Sequence, residues 1–311
     1  MLLTPEISRR VFQKSKILCI AFMIAAVALG IASPGWAKSL TIGTISSTPA
    51  SDVRIFRPFA DYLSSTLTSD GIDTIKVVAA SSIQEMAALL LSGEVDLYID
   101  SSVTALAVNK LSGSQFMLRR WKKGRNQYRS VIFVRQDSDI IRLADLRDKV
   151  VAFEEPFSTS GFLLPALSVR RQGLVLSAVA SPRTAPPAGQ VGYLMAHDNE
   201  VQAVWVERGR VQAAAMAEDD FKNFAKSALN PLRVLYQTPY VPYHVVVHRS
   251  GLDARLVTRI KTVLKSAHET QHGQSVLLGF GGTTMFDDIP EAMSSNIIKL
   301  EPILGLLNAP Q

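Results

Sequence analysis

One short stretch, residues 152–165, constrains the fold more than any other part of the chain. It begins as the end of a buried strand and breaks at Pro156, which has no N–H to donate to a neighbouring strand. Ser158, Thr159 and Ser160 then precede an apolar run, and such hydroxyl residues are preferred at helix starts. A strand, a hydroxyl-rich turn and a helix start favour an anion site, because free N–H groups and the helix dipole converge there. The local pattern fits an ordinary capped helix equally well.

Strand-like and helix-like segments alternate along most of the chain. Apolar residues at helical spacing begin at residues 52–67, and strand-like segments at 75–80, 95–99, 115–119 and 211–216 follow successive helical ones. Helices are predicted at 52–67, 82–91, 101–110, 196–208, 219–227 and 253–270. This β-α-β alternation predicts α/β architecture with a parallel, doubly wound sheet covered on both faces.

The chain of 311 residues suggests about two domains. The first lobe is predicted to comprise residues 38–135 and 239–311, and the second lobe residues 136–238, so that the chain crosses between them twice. Ligands of open α/β sheets bind at the carboxyl ends of the strands. We therefore expect the ligand between the two lobes, which close around it by a hinge motion.

The first 37 residues read as a signal peptide. A basic segment is followed by an unbroken apolar run at residues 17–32, which is short for a membrane span but typical of a signal sequence. Gly35 and Ala37 supply small residues at positions −3 and −1, so cleavage is predicted after Ala37. Residues 8–14, which include Arg9 and Arg10, resemble the twin-arginine export motif, and a general secretory signal is the alternative. Either route predicts a periplasmic protein.

Several chemistries are disfavoured by composition. The single cysteine, Cys19, lies inside the predicted signal peptide, so the remainder has no disulfide, thiol nucleophile or thiolate metal site. The five histidines show no metal-binding spacing, and no nucleophile elbow is present. We therefore predict no cofactor, no metal and no enzymatic activity. The basic cluster at residues 119–125 is interpreted as a solvated loop rather than a nucleic-acid site, because the chain is exported.

The stretch around Ser158 resembles a family signature. Pro156, Ser158, Thr159, Ser160, Gly161, Phe162, Leu163 and Pro165 are similar to the P-x-S-T-S-G-[YF]-L-x-P motif of phosphonate/phosphate/phosphite-type periplasmic solute-binding proteins of ABC transporters. Shorter matches at residues 93–97, 128–132, 137–140, 143–146 and 197–204 follow in the family's order. The resemblance covers roughly residues 40–279 and implies the two-lobed type II periplasmic binding protein fold.

The resemblance implies a set of ligand-binding residues. Ser158, Thr159 and Ser160 would bind the oxygens of a tetrahedral oxyanion. The remaining residues at positions that face the ligand in the family are His197, Tyr240, Tyr243 and His244. For His197 the alternative is a solvent-facing residue at a helix start.

Asp100 and the adjoining Ser101 mark a departure from the family, because members of the family place other residues at this strand end. A carboxylate here would repel a dianion, so one hypothesis is a zwitterionic ligand whose cationic or hydroxylated end lies near Asp100. The alternative is that Asp100 caps the helix beginning near Ser101.

Three function classes follow from the resemblance and the predicted fold. The first is a monomeric solute receptor that binds a small oxyanion or zwitterion and delivers it to an ABC permease in the inner membrane. The second is a sensory protein that uses the same fold to signal to a membrane kinase. The third, a periplasmic hydrolase, is disfavoured because the sequence offers no triad, metal cluster or activated nucleophile.

Overall fold

A computed structural model of the chain describes residues 38–291 together with Pro302 and Gly305. The predicted signal peptide, its cleavage site after Ala37 and its twin-arginine motif lie outside the described residues. Within the described residues, no helix is both long enough and apolar enough to cross a bilayer.

The described part of the chain contains fourteen strands and eight α-helices. The strands are β1 (Lys38–Ile45), β2 (Ile72–Ala80), β3 (Leu97–Ser101), β4 (Gln115–Lys122), β5 (Gln127–Tyr128), β6 (Ser130–Arg135), β7 (Val150–Phe153), β8 (Leu176–Ala178), β9 (Val191–Met195), β10 (Ala213–Ala217), β11 (Leu232–Gln237), β12 (Val241–Pro242), β13 (His244–His248) and β14 (Thr283–Asp287). The helices are α1 (Pro49–Leu67), α2 (Ile83–Ser92), α3 (Ser102–Ser112), α4 (Leu164–Arg171), α5 (Asn199–Glu207), α6 (Glu218–Ala225), α7 (Ala254–Ser266) and α8 (Gln271–Gly279).

Short helical turns complete the described secondary structure. The 3₁₀ turns are Thr68–Asp70, Leu143–Leu146 and Ala267–Glu269. A π-helical turn, Thr159–Leu163, leads directly into α4. The helix predicted to begin near Ser158 is therefore confirmed, and its first turn is wider than an α-helix.

The first lobe is built on a six-stranded sheet with the order β14-β4-β13-β3-β1-β2. Strands β1 and β3 are parallel, as predicted, but β13 runs antiparallel to both β3 and β4. The prediction of a wholly parallel sheet is therefore wrong. The reason is that β13 starts at the edge where β3 ends, with His244 opposite Ser101, and so runs back through the sheet.

The second lobe is built on a second six-stranded sheet with the order β11-β6-β10-β7-β9-β8. Strand β6, residues 130–135, pairs with both β10 and β11 in this sheet. The sequence had assigned these residues to the first lobe, and the structure corrects that assignment. The run of strand formers at residues 127–135 hides a break at Arg129, where β5 ends and β6 begins.

The two crossings between the lobes are paired with each other. Strand β5 carries the outgoing chain and β12 the returning chain, and they form a two-stranded antiparallel ribbon. In that ribbon Val241 lies opposite Tyr128 and Pro242 opposite Gln127. The crossings are therefore a hydrogen-bonded unit.

Helix α3 belongs to the first lobe by sequence but packs against the second. Its buried side chains Val103 and Leu106 join a hydrophobic cluster that includes Ile132, Phe153 and Phe162 of the second lobe. Phe162 belongs to the π-helical turn Thr159–Leu163, which Ser158 precedes. This packing therefore brings the start of α3 close to Ser158.

Candidate functional site

The turn that follows β7 is organised by Ser158. The Ser158 hydroxyl accepts a hydrogen bond from the N–H of Gly161 at 2.9 Å, so the predicted helix cap is confirmed. The N–H groups of Phe162 and Leu163 both donate to the Ser158 carbonyl, which widens the first turn into a π-helix. Gly161 is required here because a Cβ would lie 2.5 Å from the Cβ of Glu154.

The three consecutive hydroxyls have different partners. Ser158 donates to a carboxylate oxygen of Glu154 at 2.6 Å. Thr159, which is 2% exposed, donates to the Ser101 hydroxyl at 2.9 Å. Ser160 lies beside the phenol of Tyr128, which also contacts Thr159. Ser160 is therefore the hydroxyl with the fewest competing protein contacts.

Thr159 joins the starts of two helices from different lobes. Its hydroxyl oxygen also lies 3.1 Å from the hydroxyl of Thr104 and accepts from the Thr104 N–H at 3.3 Å. The Thr104 hydroxyl donates to the carbonyl of Phe157 at 2.6 Å. The positive ends of α3 and of the Thr159–Leu163 turn therefore meet at one point. Unpaired N–H groups and aligned dipoles at such points attract anions.

A cavity of about 280 Å³ opens beside these helix starts. Seven of the nine residues proposed from the sequence line it: Asp100, Ser101, Ser158, Thr159, Ser160, Tyr243 and His244. Sequence reasoning missed further lining residues, of which the chemically important ones are Lys122, Tyr128, Glu154, Glu155 and Asn199. Both lobes contribute to the cavity, as expected for a cleft between the two sheets.

His197 lies outside this cavity. Its ring lines a wider adjoining groove of about 770 Å³, which shares Glu154 and Glu155 with the first cavity. The backbone of His197 is left-handed with φ of 59°, and its Nδ1 lies 3.0 Å from an oxygen of Glu155. The side chain is 68% exposed, so His197 stands at the edge of the cleft.

Tyr240 does not line the cavity either. It is 48% exposed, and its ring packs against the guanidinium of Arg129 at 4.8 Å. Tyr243 and Tyr128 line the cavity instead, with parallel rings 4.5 Å apart. The segment that the sequence singled out therefore reaches the cleft through Tyr243 and His244.

Asp100 is surrounded by donors from the protein itself. Its carboxylate accepts hydrogen bonds from the Tyr98 hydroxyl at 3.0 Å, the Ile45 N–H at 3.4 Å and the Ser101 N–H at 2.6 Å. The Ser101 hydroxyl adds a fourth bond at 3.1 Å. A carboxylate offers about four acceptor sites. Asp100 thus joins the end of β1 to the start of α3, and burial raises the pKa of its carboxyl.

The basic cluster at residues 119–125 is only partly the expected solvated loop: residues 123–125 form an exposed turn, but residues 119–122 belong to β4. Arg119 and Arg120 are buried within β4. Arg119 pairs with Asp287 of β14, while Arg120 donates to the Thr283 hydroxyl and to a carbonyl. The reason is tertiary, because Thr283 and Asp287 of β14 supply partners from 163 and 168 positions away.

His244 is the buried continuation of an aromatic stack. Its ring lies 5.3 Å from that of Tyr243 at an angle of 16°. Burial, together with the nearby charges of Arg120 and Lys122, holds the pKa of His244 well below its usual range. The imidazole is therefore neutral at pH 7, and its Nδ1 is buried without a hydrogen-bond partner among the described residues.

The described residues contain no group of three or more histidine, cysteine, aspartate or glutamate side chains arranged to hold a metal ion. The polar contacts at the two helix starts are mainly between hydroxyl groups and backbone N–H groups, while the cavity beside them is lined by five carboxylates and one lysine. The hydroxyl and N–H donors at the helix starts suit noncovalent binding of an anionic group.

Comparison with known proteins places the chain in a family. Residues 42–292 match the family model described as "ABC transporter, phosphonate, periplasmic substrate-binding protein". The phosphonates-binding periplasmic protein of Escherichia coli is 26% identical over 193 residues, which cover 60% of this chain and 55% of the relative. The alignment thus spans about half the length of that curated relative.

Solved structures show the same fold. A Xanthomonas citri protein solved with chloride is 27% identical, covers 86% of this chain and 97% of its own, and superposes with a TM-score of 0.81. A Prochlorococcus marinus protein solved with methylphosphonate shares the fold at a TM-score of 0.65, with 17% identity and coverage of 87% and 99%. The chain belongs to the family of periplasmic substrate-binding proteins of ABC phosphonate transporters.

Proposed function

We propose that this protein is the periplasmic substrate-binding component of an ABC importer and that it binds a small phosphonate- or phosphate-type oxyanion between its lobes. One observation carries the proposal: the starts of two helices meet at the Thr159–Ser101 hydrogen bond, beside a cavity lined by hydroxyl groups. At such a point the protein offers N–H donors and the positive ends of helix dipoles to an anion, and no formally charged side chain is needed.

Within this proposal the anionic headgroup lies against Ser160 and the free N–H groups at the start of the Thr159–Leu163 turn. Ser158 and Thr159 hold the turn in place through their own protein partners. The Xanthomonas citri relative was solved with chloride and with ATP, which are both anions. The Prochlorococcus marinus structure contains methylphosphonate. These ligands are consistent with an anion site in the shared fold.

The proposal includes export and a membrane partner. The leader at residues 1–37 would direct the protein to the periplasm and be removed after Ala37, by the twin-arginine route if Arg9 and Arg10 are read as that motif. The mature protein would act as a monomer that delivers its ligand to a permease. A sensory role with a membrane kinase uses the same cleft and would be distinguished by the genes beside this one.

Isothermal titration calorimetry with methylphosphonate, phosphate and phosphite tests the binding proposal, with sulfate and acetate as control anions. We expect saturable 1:1 binding of at least one phosphorus oxyanion and no comparable binding of acetate. Native mass spectrometry of protein purified without refolding would identify any retained ligand. If no phosphorus oxyanion binds to folded protein and a different solute is retained, the proposed ligand class is wrong.

A further inference from the structure

A row of polar side chains crosses the first sheet at the edge that faces the cleft. In the strand register, His244 of β13 lies opposite Ser101 of β3 on one side and opposite Arg120 of β4 on the other. Side chains directly opposite each other on neighbouring strands point to the same face of a sheet. Lys122 is two residues beyond Arg120 on β4 and therefore shares that face.

Lys122 is a half-buried ammonium on which the charges of Asp100 and Asp220 act without a direct salt bridge among the described residues. It lines the main cavity and an adjoining cavity of about 230 Å³, and its Nζ lies 5.5 Å from the centre of the Tyr243 ring. Among the described residues, no carboxylate forms a salt bridge with Lys122. Burial and the nearby Arg120 lower the pKa of Lys122, as expected for two cations placed close together.

Arg120 is buried and also lacks a salt bridge within the described part of the chain. Its guanidinium lies 4.0 Å from the centre of the Phe280 ring, and Nε and Nη2 donate to the Thr283 hydroxyl and the Phe280 carbonyl. Both partners are neutral, so they do not cancel the charge. Burial lowers the pKa of Arg120 to about 10, which still leaves it charged at pH 7.

Neither cation forms a salt bridge among the described residues, and the Asp100 carboxylate, whose charge acts on both, is already bound by its own donors. A further anion would stabilise two buried cations in this position. We propose that Arg120, Lys122 and His244 form a second anion-binding subsite, which takes a carboxylate or second phosphoryl group of the same ligand whose headgroup lies at Ser160. This inference rests on the proposed function and extends it to the substrate class: a phosphonate or phosphate ester with a second anionic end.

The strand spacing sets the length of such a ligand. Neighbouring strands lie about 4.8 Å apart, so His244 is about 5 Å and Arg120 about 10 Å from Ser101, measured across the sheet. Ser101 is hydrogen-bonded to Thr159 at the headgroup site. Because the arginine and lysine side chains are long, a linker of a few carbon atoms between the two anionic groups spans this separation.

The cleft also contains carboxylates, and these favour the opposite ligand charge. Glu154 is hydrogen-bonded to Ser158 and Asn199, and Glu155 lies against His197. Asp220 is exposed. Asp52 and Asp100 line the cavity next to Arg120, although Asp100 is saturated by its own donors. An amine-bearing phosphonate is therefore the competing ligand that the experiment must include.

Calorimetry with three phosphonates of similar size shows whether the site prefers a ligand with an anionic tail or one with a cationic tail. The probes are 3-phosphonopropionate with an anionic tail, propylphosphonate with a neutral tail and 2-aminoethylphosphonate with a cationic tail. We expect 3-phosphonopropionate to bind about tenfold or more tightly than propylphosphonate, as for hydrogen bonds to charged groups. Lys122→Met should remove this preference, so that 3-phosphonopropionate and propylphosphonate bind with similar affinity. Lys123→Met, at the exposed neighbouring lysine, is the matched control and should change neither value.

The outcomes separate the two proposals. If propylphosphonate binds and 3-phosphonopropionate binds no better, the second subsite is overturned while the oxyanion receptor stands. The subsite is equally overturned if 2-aminoethylphosphonate binds most tightly, or if Lys122→Met leaves the carboxylate preference intact. If none of the three phosphonates nor inorganic phosphate binds to folded wild-type protein, both proposals are wrong.

Discussion

Thr159 of the second lobe donates its hydroxyl hydrogen to Ser101 of the first lobe at a distance of 2.9 Å. The residue is almost completely buried, and its oxygen also contacts Thr104. A side chain that the sequence marks as a ligand contact is thus a link between the lobes. Its neighbour Ser160 has the freer hydroxyl, so the two residues should respond differently to mutation.

Thr159→Val should destabilise the protein even without ligand, since it removes the hydroxyl and leaves Ser101 and Thr104 with one partner fewer. We expect the free energy of unfolding to fall by about 1–3 kcal/mol. Urea denaturation monitored by circular dichroism measures this change. Thr159→Ser keeps the hydroxyl and should recover most of the loss. Wild-type stability of the valine variant would contradict the interlobe role.

Ser160→Ala should weaken ligand binding but leave the stability of the protein almost unchanged. Its hydroxyl contacts only the Tyr128 phenol among the described residues, so the free energy of unfolding should stay within about 0.5 kcal/mol of wild type. Loss of one hydrogen bond to an anionic headgroup should weaken methylphosphonate binding by about 1.5–3 kcal/mol. Calorimetry and urea denaturation on the same preparation give both values. A stability loss without a change in affinity would make Ser160 structural.

His244 should make the protein sensitive to mild acid. Its pKa is lowered in the folded state, so below about pH 6.5 the unfolded chain binds a proton that the folded chain does not. The free energy of unfolding therefore rises with pH up to that value, with a slope of at most about 1.4 kcal/mol per pH unit from this residue. His244→Gln should remove this contribution. Urea titrations between pH 5 and pH 8 compare the two proteins, and parallel curves would exclude the effect.

The predicted export route can be tested by substitutions in residues 1–37 of the full chain. Changing both Arg9 and Arg10 to lysine should block twin-arginine export but leave general secretory export almost unchanged, because only the first pathway requires the arginine pair. Periplasmic yield of the double variant provides the measurement. N-terminal sequencing of exported wild-type protein should begin at Lys38. Normal periplasmic yield from the variant would rule out the twin-arginine route and leave the general secretory one.

Local sequence signals were sufficient where neighbours along the chain decide the structure. The end of β7, the Ser158 cap and the helix after it involve residues within a few positions of one another, and each was predicted. The fold class followed from the strand–helix alternation and from the family signature. Such features depend on propensity and pattern, which a single sequence contains.

The features of the site that were not predicted depend on contacts between residues far apart in the sequence. Thr159 meets Ser101 across 58 positions, and Arg120 meets Thr283 across 163 positions. The position of Arg120 and Lys122 beside the cavity was not predicted, because both were read as part of a solvated cluster. Their spacing of two residues at the end of a strand was the available signal, since it places both side chains on one face.

The ribbon formed by β5 and β12 has a thermodynamic consequence. Tyr128 belongs to that ribbon and also lines the cavity, so any bending of the ribbon changes the shape of the binding site. With the hinge closure that we expect, occupancy and closure would be linked equilibria, and a measured dissociation constant would contain the free energy of closing the lobes. A substitution in the ribbon can shift affinity without touching the ligand, by changing how often the empty receptor is already closed.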